Sequence, residues 1–124
     1  MPLASVCIRL YAAALLSLGM SALFAPELAG AEPAWMAQLL AGALLGLAAQ
    51  AWLVRDAPLG GIYGRPVVNG QQAFAVIGAL VAVREVPSAP GAWRWALLAA
   101  LAVGAVLWSV LLYRPAWLGA PRAG

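Results

Sequence analysis

Few side chains in this sequence of 124 residues are suited to chemistry. It contains no His and no Lys, and Cys7 is its only thiol, so the usual protein ligands for zinc, haem and copper are missing. The carboxylates Glu27, Glu32, Asp56 and Glu85 all fall in short stretches between apolar runs. An enzyme needs a nucleophile, a base or a metal beside a positioned partner. We therefore expect that the protein is not an enzyme and that it holds no metal or cofactor.

The densest polar stretch is GGIYGRPVVNGQQAF, residues 60–74, which leads straight into an apolar run. Glycines in its first half predict a tight turn. A phosphate-binding loop is not expected, because that motif requires Gly-Lys-Ser/Thr before the helix. A helix that begins after Pro66 would carry Asn69, Gln71 and Gln72 in its first two turns, at the edge of the apolar region.

Two of these amides, Asn69 and Gln72, are three residues apart and would share one helix face. Gln50 ends the second apolar run and Arg9 opens the first, so both should lie at the same depth. We predict a polar cluster formed by Arg9, Gln50, Asn69 and Gln72, with Arg65 at its mouth. Three interpretations stay open: hydrogen bonds that only hold helices together, a pocket for the head group of a lipid or quinone, and simple solvation at the membrane surface.

The composition indicates what must position these residues. Hydrophobic residues make up 65% of the chain and charged residues 9%, whereas soluble domains have about 45–50% and about 25%. A helix needs about 20 apolar residues to cross a bilayer core, and runs of about this length occur at residues 6–25, 34–54, 67–83 and 95–113. The connections are short, so neighbouring helices must run antiparallel. We predict an all-α, integral membrane, antiparallel four-helix bundle that forms one domain over residues 1–124.

The distribution of Arg predicts the orientation, because basic residues resist translocation. Five of the seven Arg residues fall on the side that holds the two termini and the second loop, whereas Arg84 and Arg94 fall on the other side. The first loop carries Glu27 and Glu32 and no basic residue, as an outside loop should. We predict a location in the bacterial cytoplasmic (inner) membrane with both termini in the cytoplasm.

A cleaved signal peptide is the alternative for the first run. Arg9, the apolar run and the small residues Ala29, Gly30 and Ala31 resemble a signal peptide with its cleavage site. The run is long for a signal peptide, however, and cleavage would leave three helices and place the new N-terminus on the opposite side. We therefore favour an uncleaved first helix.

Small residues at four-residue steps let helices approach closely in lipid. The clearest case is GALLG in the second run, where Gly42 and Gly46 are about one turn apart. Gly78 and Gly104 occupy similar places in the third and fourth runs. We predict that these glycines mark helix contacts, either within the bundle or between two copies of the chain.

Arg9 before an apolar first helix, Gly19 in the middle of that helix, and four helices with both ends inside together resemble the small DoxX-like bacterial membrane proteins. The GIYGRP sequence before the third run is similar to a motif in a set of uncharacterised short bacterial membrane proteins. The DoxX-like resemblance implies an accessory role in the membrane, linked to quinone-associated oxidoreductase complexes. Neither resemblance brings an established catalytic residue.

These observations favour an accessory or interaction subunit whose partners are membrane lipids and either another membrane protein or a second copy of the chain. The alternative is a small dimeric transporter. A proton-coupled exporter should carry a carboxylate within a helix, and every carboxylate here lies between the runs. The Arg residues are scattered rather than clustered, so no binding to nucleic acid is expected.

The orientation can be tested with fusion proteins. We expect a fluorescent protein at the C-terminus to fluoresce, and alkaline phosphatase fused after Glu32 to be active, because the Arg distribution keeps both termini inside. Reversed signals would overturn the orientation. A mature protein that begins at Glu32 would instead show that the first run is a signal peptide.

Overall fold

The computed structural model describes residues 3–30, 34–57, 64–88 and 91–118. These residues form α-helices and short 3-10 turns, with no strand among them. The α-helices are α1 (Leu3–Phe24), α2 (Ala34–Leu53), α3 (Gly64–Glu85) and α4 (Ala92–Tyr113). The 3-10 turns are Pro26–Leu28, Val86–Ser88 and Pro115–Leu118. The predicted turn covered LGGIYGRP, residues 59–66. Residues 59–63 lie outside the described residues, whereas residues 64–66 belong to α3 and do not form a turn.

The largest difference from the predicted helix bounds concerns α3, which was expected over residues 67–83. It begins at Gly64 and ends at Glu85, a length of 22 residues, or about 33 Å at a rise of about 1.5 Å per residue. Pro66 does not prevent the earlier start, because its missing N–H has no helical partner in the first turn. The polar residues of this segment are therefore part of a full-length helix. Both α1 and α4 also begin three residues earlier than predicted.

All four helices are 20 to 25 residues long, with α3 counted together with the turn that follows it, and are apolar enough to cross a membrane. In hydrocarbon, a backbone must satisfy its own hydrogen bonds, and a continuous helix does so. The length and composition of the helices suggest a multi-pass membrane protein.

Hydrogen bonds near the helix ends show that neighbouring helices run antiparallel. In each bonded pair, one residue lies near the start of its helix and the other lies near or just beyond the end of the neighbouring helix. The pairs are Ser5 with Asp56, Gln71 with Gln50, Gln72 with Ser109, and Trp93 with the carbonyl of Leu18. The predicted alternation of helix direction is therefore present.

The core lies where α1 meets α2 and α4, and α1 is the most buried of the four helices. Leu15, Leu44 and Trp108 are fully buried there. The ring of Tyr11 meets the ring of Trp108 edge-on, with centroids 5.9 Å apart and an interplanar angle of 77°. This edge-to-face arrangement is the one that aromatic quadrupoles favour. It joins α1 to α4.

Three glycines lie where another helix packs closely against them. A Cβ atom at Gly19 would lie 2.9 Å from the side chain of Leu45, and one at Gly78 would lie 2.9 Å from Leu101. A Cβ atom at Gly104 would overlap the ring of Tyr11. A side chain at Gly104 would therefore displace an aromatic ring, whereas one at Gly19 or Gly78 would require a shift of the facing Leu side chain.

Gly42 and Gly46, unlike the three glycines above, are not in contact with another helix of the described chain. Both are exposed, and a Cβ atom at either would meet nothing within 4 Å. The contact within the bundle that was predicted at these two positions is not formed, because this face of α2 points away from the other helices. Within the described residues, this face of α2 is free for contact with another molecule.

Replacing Gly104 with Ala should destabilise the protein, because the new methyl group would overlap the Tyr11 ring. Overpacking of this kind costs about 1–3 kcal/mol. Gly46→Ala is the matched control and should be neutral or stabilising, since Ala has the higher helix propensity by about 1 kcal/mol. Thermal unfolding in detergent, followed by circular dichroism, measures both. Equal melting temperatures for the two variants would contradict the contact between Gly104 and Tyr11.

Candidate functional site

An ionic network joins the start of α1 to the end of α2. The hydroxyl of Ser5 donates to Asp56 Oδ1 at 2.5 Å, and Arg9 Nη2 donates to Asp56 Oδ2 at 3.1 Å. Arg55 Nε lies 3.5 Å from the same Oδ2 atom. The Arg55 guanidinium also stacks on Trp52, with its central carbon 4.3 Å from the ring centroid. Arg9 is thus paired with a carboxylate rather than with Gln50 or an α3 amide.

The network stabilises the charged form of Asp56. The hydrogen bond from Ser5, with help from Arg9 and Arg55, lowers the pKa of this carboxyl below its ordinary value of 3.8. A group whose pKa is lowered by folding contributes stability above its ordinary pKa, and this contribution is lost as the pH falls through the folded-state pKa. The carboxylate is therefore charged at neutral pH, and its contribution is lost only as the pH falls below the ordinary pKa of an Asp carboxyl.

A second polar contact lies between α2 and α3, and its central residue is Gln71. The Gln71 side chain is fully buried, and its Nε2 atom donates to the carbonyl of Leu47 at 3.0 Å and to Gln50 Oε1 at 2.9 Å. The prediction placed Asn69 and Gln72 against Gln50 instead. The inward face of α3 actually follows the buried residues Gly64, Val68, Gln71, Ala75 and Ala82.

The other predicted members lie elsewhere. Gln72 is half-buried, and its Nε2 atom donates to Ser109 Oγ of α4 at 3.2 Å. Asn69 and Arg65 are exposed. The four residues expected to form one cluster are therefore separated. Arg9 belongs to the contact of α1 with α2, and Gln50 to the contact of α2 with α3. Gln72 belongs to the contact of α3 with α4, and Asn69 is on the exterior.

Two signals in the sequence would have improved this prediction. Asp56 follows the second apolar run by two residues, on the side assigned to Arg9, so it was available as a counter-ion. Val68, Gln71 and Ala75 also share a face at three- and four-residue steps, and this is the face that the structure buries. Asn69 and Gln72 satisfy the same spacing rule, so spacing alone does not decide between the two faces.

All of these polar contacts connect helices. The described residues contain no group of three His, Cys, Asp or Glu side chains that could hold a metal ion. Within the described chain, the buried Gln71 Oε1 atom accepts no hydrogen bond. The arrangement agrees better with interhelical hydrogen bonding than with a head-group pocket at Arg9, because the Arg9 guanidinium already pairs with Asp56.

Comparison of the chain with family models, with curated proteins and with solved structures gave no significant match. The resemblance to DoxX-like proteins therefore stays a prediction.

Thiol labelling tests the placement of the α3 amides. In a Cys7→Ser background, Asn69→Cys should react with a membrane-impermeant thiol reagent much faster than Gln71→Cys, because only the second position is buried. The thiol at position 71 reacts only when the helices open locally. If this opening has a free-energy cost of about 1.4 kcal/mol or more, the labelling rate falls about tenfold or more. Equal rates would mean that Gln71 does not face the interior.

Proposed function

We propose that the chain is a multi-pass protein of the bacterial cytoplasmic membrane and acts there as an accessory or interaction subunit. Support for the membrane location comes from the four long apolar helices. The described Arg residues support the orientation: Arg9, Arg55, Arg65 and Arg114 lie at one end of the helices, and Arg84 and Arg94 lie at the other. The more basic end faces the cytoplasm in this proposal.

The interaction role is inferred from the outward face of α2. Gly42 and Gly46 lie one turn apart on that face, and no other part of the described chain packs on them. Each Gly costs a helix about 0.8–1.0 kcal/mol relative to Ala. In a membrane, two glycines at this spacing are typical of a surface that another helix approaches closely.

A polar residue continues this face toward the start of α2. Gln38 precedes Gly42 by four residues and is also exposed. An amide that faces hydrocarbon without a partner is costly, whereas a second helix can hydrogen-bond to it. Gln38, Gly42 and Gly46 together therefore favour a membrane-spanning helix of another polypeptide as the partner.

Purification in mild detergent, followed by mass spectrometry of the proteins that copurify, tests this proposal. We expect the wild-type chain to retain a second membrane polypeptide. The double variant Gly42→Leu with Gly46→Leu should lose it, because the larger side chains keep the partner's backbone away. Since both positions are open, the melting temperature of the isolated chain should not fall.

The matched control introduces two Leu side chains on an exposed face of α4, as Ala99→Leu with Ala102→Leu. This control should keep the partner. Recovery of a homodimer with no other polypeptide would favour the alternative, a small dimeric transporter. Recovery of a monomer alone from wild type and variants would contradict the interaction role.

A further inference from the structure

The half of the bundle remote from Asp56 contains a cavity of about 500 Å³ that is open along one side. This volume falls within the range of about 300–1,000 Å³ that is usual for ligand pockets. The cavity lies between α2 on one side and α3 with α4 on the other. Its apolar walls include Leu40, Phe74, Gly78, Leu97 and Leu101.

The cavity extends along α3 for the depth of one leaflet. Its lining reaches from Phe74 to Glu85, eleven residues further along the helix, which corresponds to about 17 Å at a rise of about 1.5 Å per residue. Half of a hydrocarbon core about 30 Å thick is about 15 Å. A chain that enters at the helix ends and stops near the middle of the membrane would fill this length.

Among the described residues of the lining, the polar ones lie at the end of the cavity near the helix ends. Glu85, Ser88 and Arg94 line that end. Arg94 Nε donates to the carbonyl of Ala29 at 2.8 Å, and Arg94 Nη2 donates to the carbonyl of Gly30 at 2.8 Å. These bonds hold the guanidinium at the mouth of the cavity. A guanidinium is well suited to binding phosphate oxygens.

Trp93 also lines this end, and its indole Nε1 atom donates to the carbonyl of Leu18 at 3.2 Å. Tryptophan is enriched at the level of the lipid head groups. The polar end therefore has the residues of an interfacial region, and the apolar walls have those of the hydrocarbon region.

The chemistry of the walls decides what can occupy the space. The cavity is open along one side, and its apolar walls gain dispersion contacts only from the molecule that fills it. A lipid tail is as apolar as Leu and is flexible enough to follow an elongated cavity. The occupant should therefore be a long hydrocarbon chain with a polar group at one end.

We propose that this cavity binds one acyl chain of a phospholipid from the leaflet at the Arg84 and Arg94 end of the bundle, with the lipid phosphate at Arg94. The inference rests on the proposed membrane insertion but not on the proposed partner at α2. The double variant Gly42→Leu with Gly46→Leu should retain the lipid, so the two proposals can fail separately.

Native mass spectrometry of protein depleted of lipid and titrated with palmitoyl-oleoyl phosphatidylglycerol tests the site. Val81 lines the cavity from α3 and is 47% exposed, so a larger side chain there should block the space without unfolding the bundle. We expect wild type to bind one lipid and Val81→Trp to bind it about tenfold more weakly or worse, because the indole overfills the site. Val83→Trp, on the same helix outside the cavity lining, is the control and should bind as wild type does.

A phospholipid with a photoreactive group near the end of its acyl chain gives a second measurement on the unaltered protein. Crosslinks should map to the peptides that contain Phe74 or Leu101, at the deep end of the cavity. Equal affinity of the two Trp variants, the lack of a stoichiometric lipid, or crosslinks only to the outer helix faces would overturn the proposal. So would stronger binding of an isoprenoid quinone than of the phospholipid in the same titration.

Discussion

The helices of this protein must recognise each other without help from a contrast between an apolar core and a polar surface. Large apolar side chains such as Leu10, Leu39 and Val103 are about two-thirds exposed, and in lipid their exposure costs nothing, because lipid tails are as apolar as Leu. Contact specificity then depends on shape and on a few polar bonds. Gly104 beneath the Tyr11 ring supplies shape, and Gln71 against Leu47 and Gln50 supplies polar bonds.

The same constraint explains what could be predicted from the sequence. Helix number and class follow from the length of the apolar runs, and the described residues form four such helices. The inward face of each helix does not follow, because a helix that is apolar all round has no amphipathic stripe to indicate it. For this reason the sequence does not decide whether Gln71 or the pair Asn69 and Gln72 faces the interior of the bundle. The choice depends on how α3 is rotated against α2, which is a property of the packed bundle.

The glycines illustrate the same limit. Gly42 and Gly46 have the clearest close-packing pattern in the sequence, yet they are open in the structure, whereas the isolated Gly104 has the tightest contact. Small residues at four-residue steps indicate only that another helix can come close to this backbone. They do not indicate whether that helix belongs to the same chain or to another molecule. The proposed role as an interaction subunit requires such surfaces on both the inside and the outside of the bundle. The pattern is the same for both.

The two ends of the bundle differ in how α2 and α3 are connected. Near Asp56, hydrogen bonds from Gln71 fix α3 directly to α2. At the other end, Trp93 and Arg94 fix α4 to α1 and to the turn that follows it, and the space between α2 and α3 is left as the apolar cavity. An apolar gap of this size would be a packing defect in a soluble protein, where its walls lose contacts. In a bilayer the surrounding solvent is itself a supply of chains that restore those contacts, so a bundle held at its far end by polar bonds can keep the gap open for a lipid.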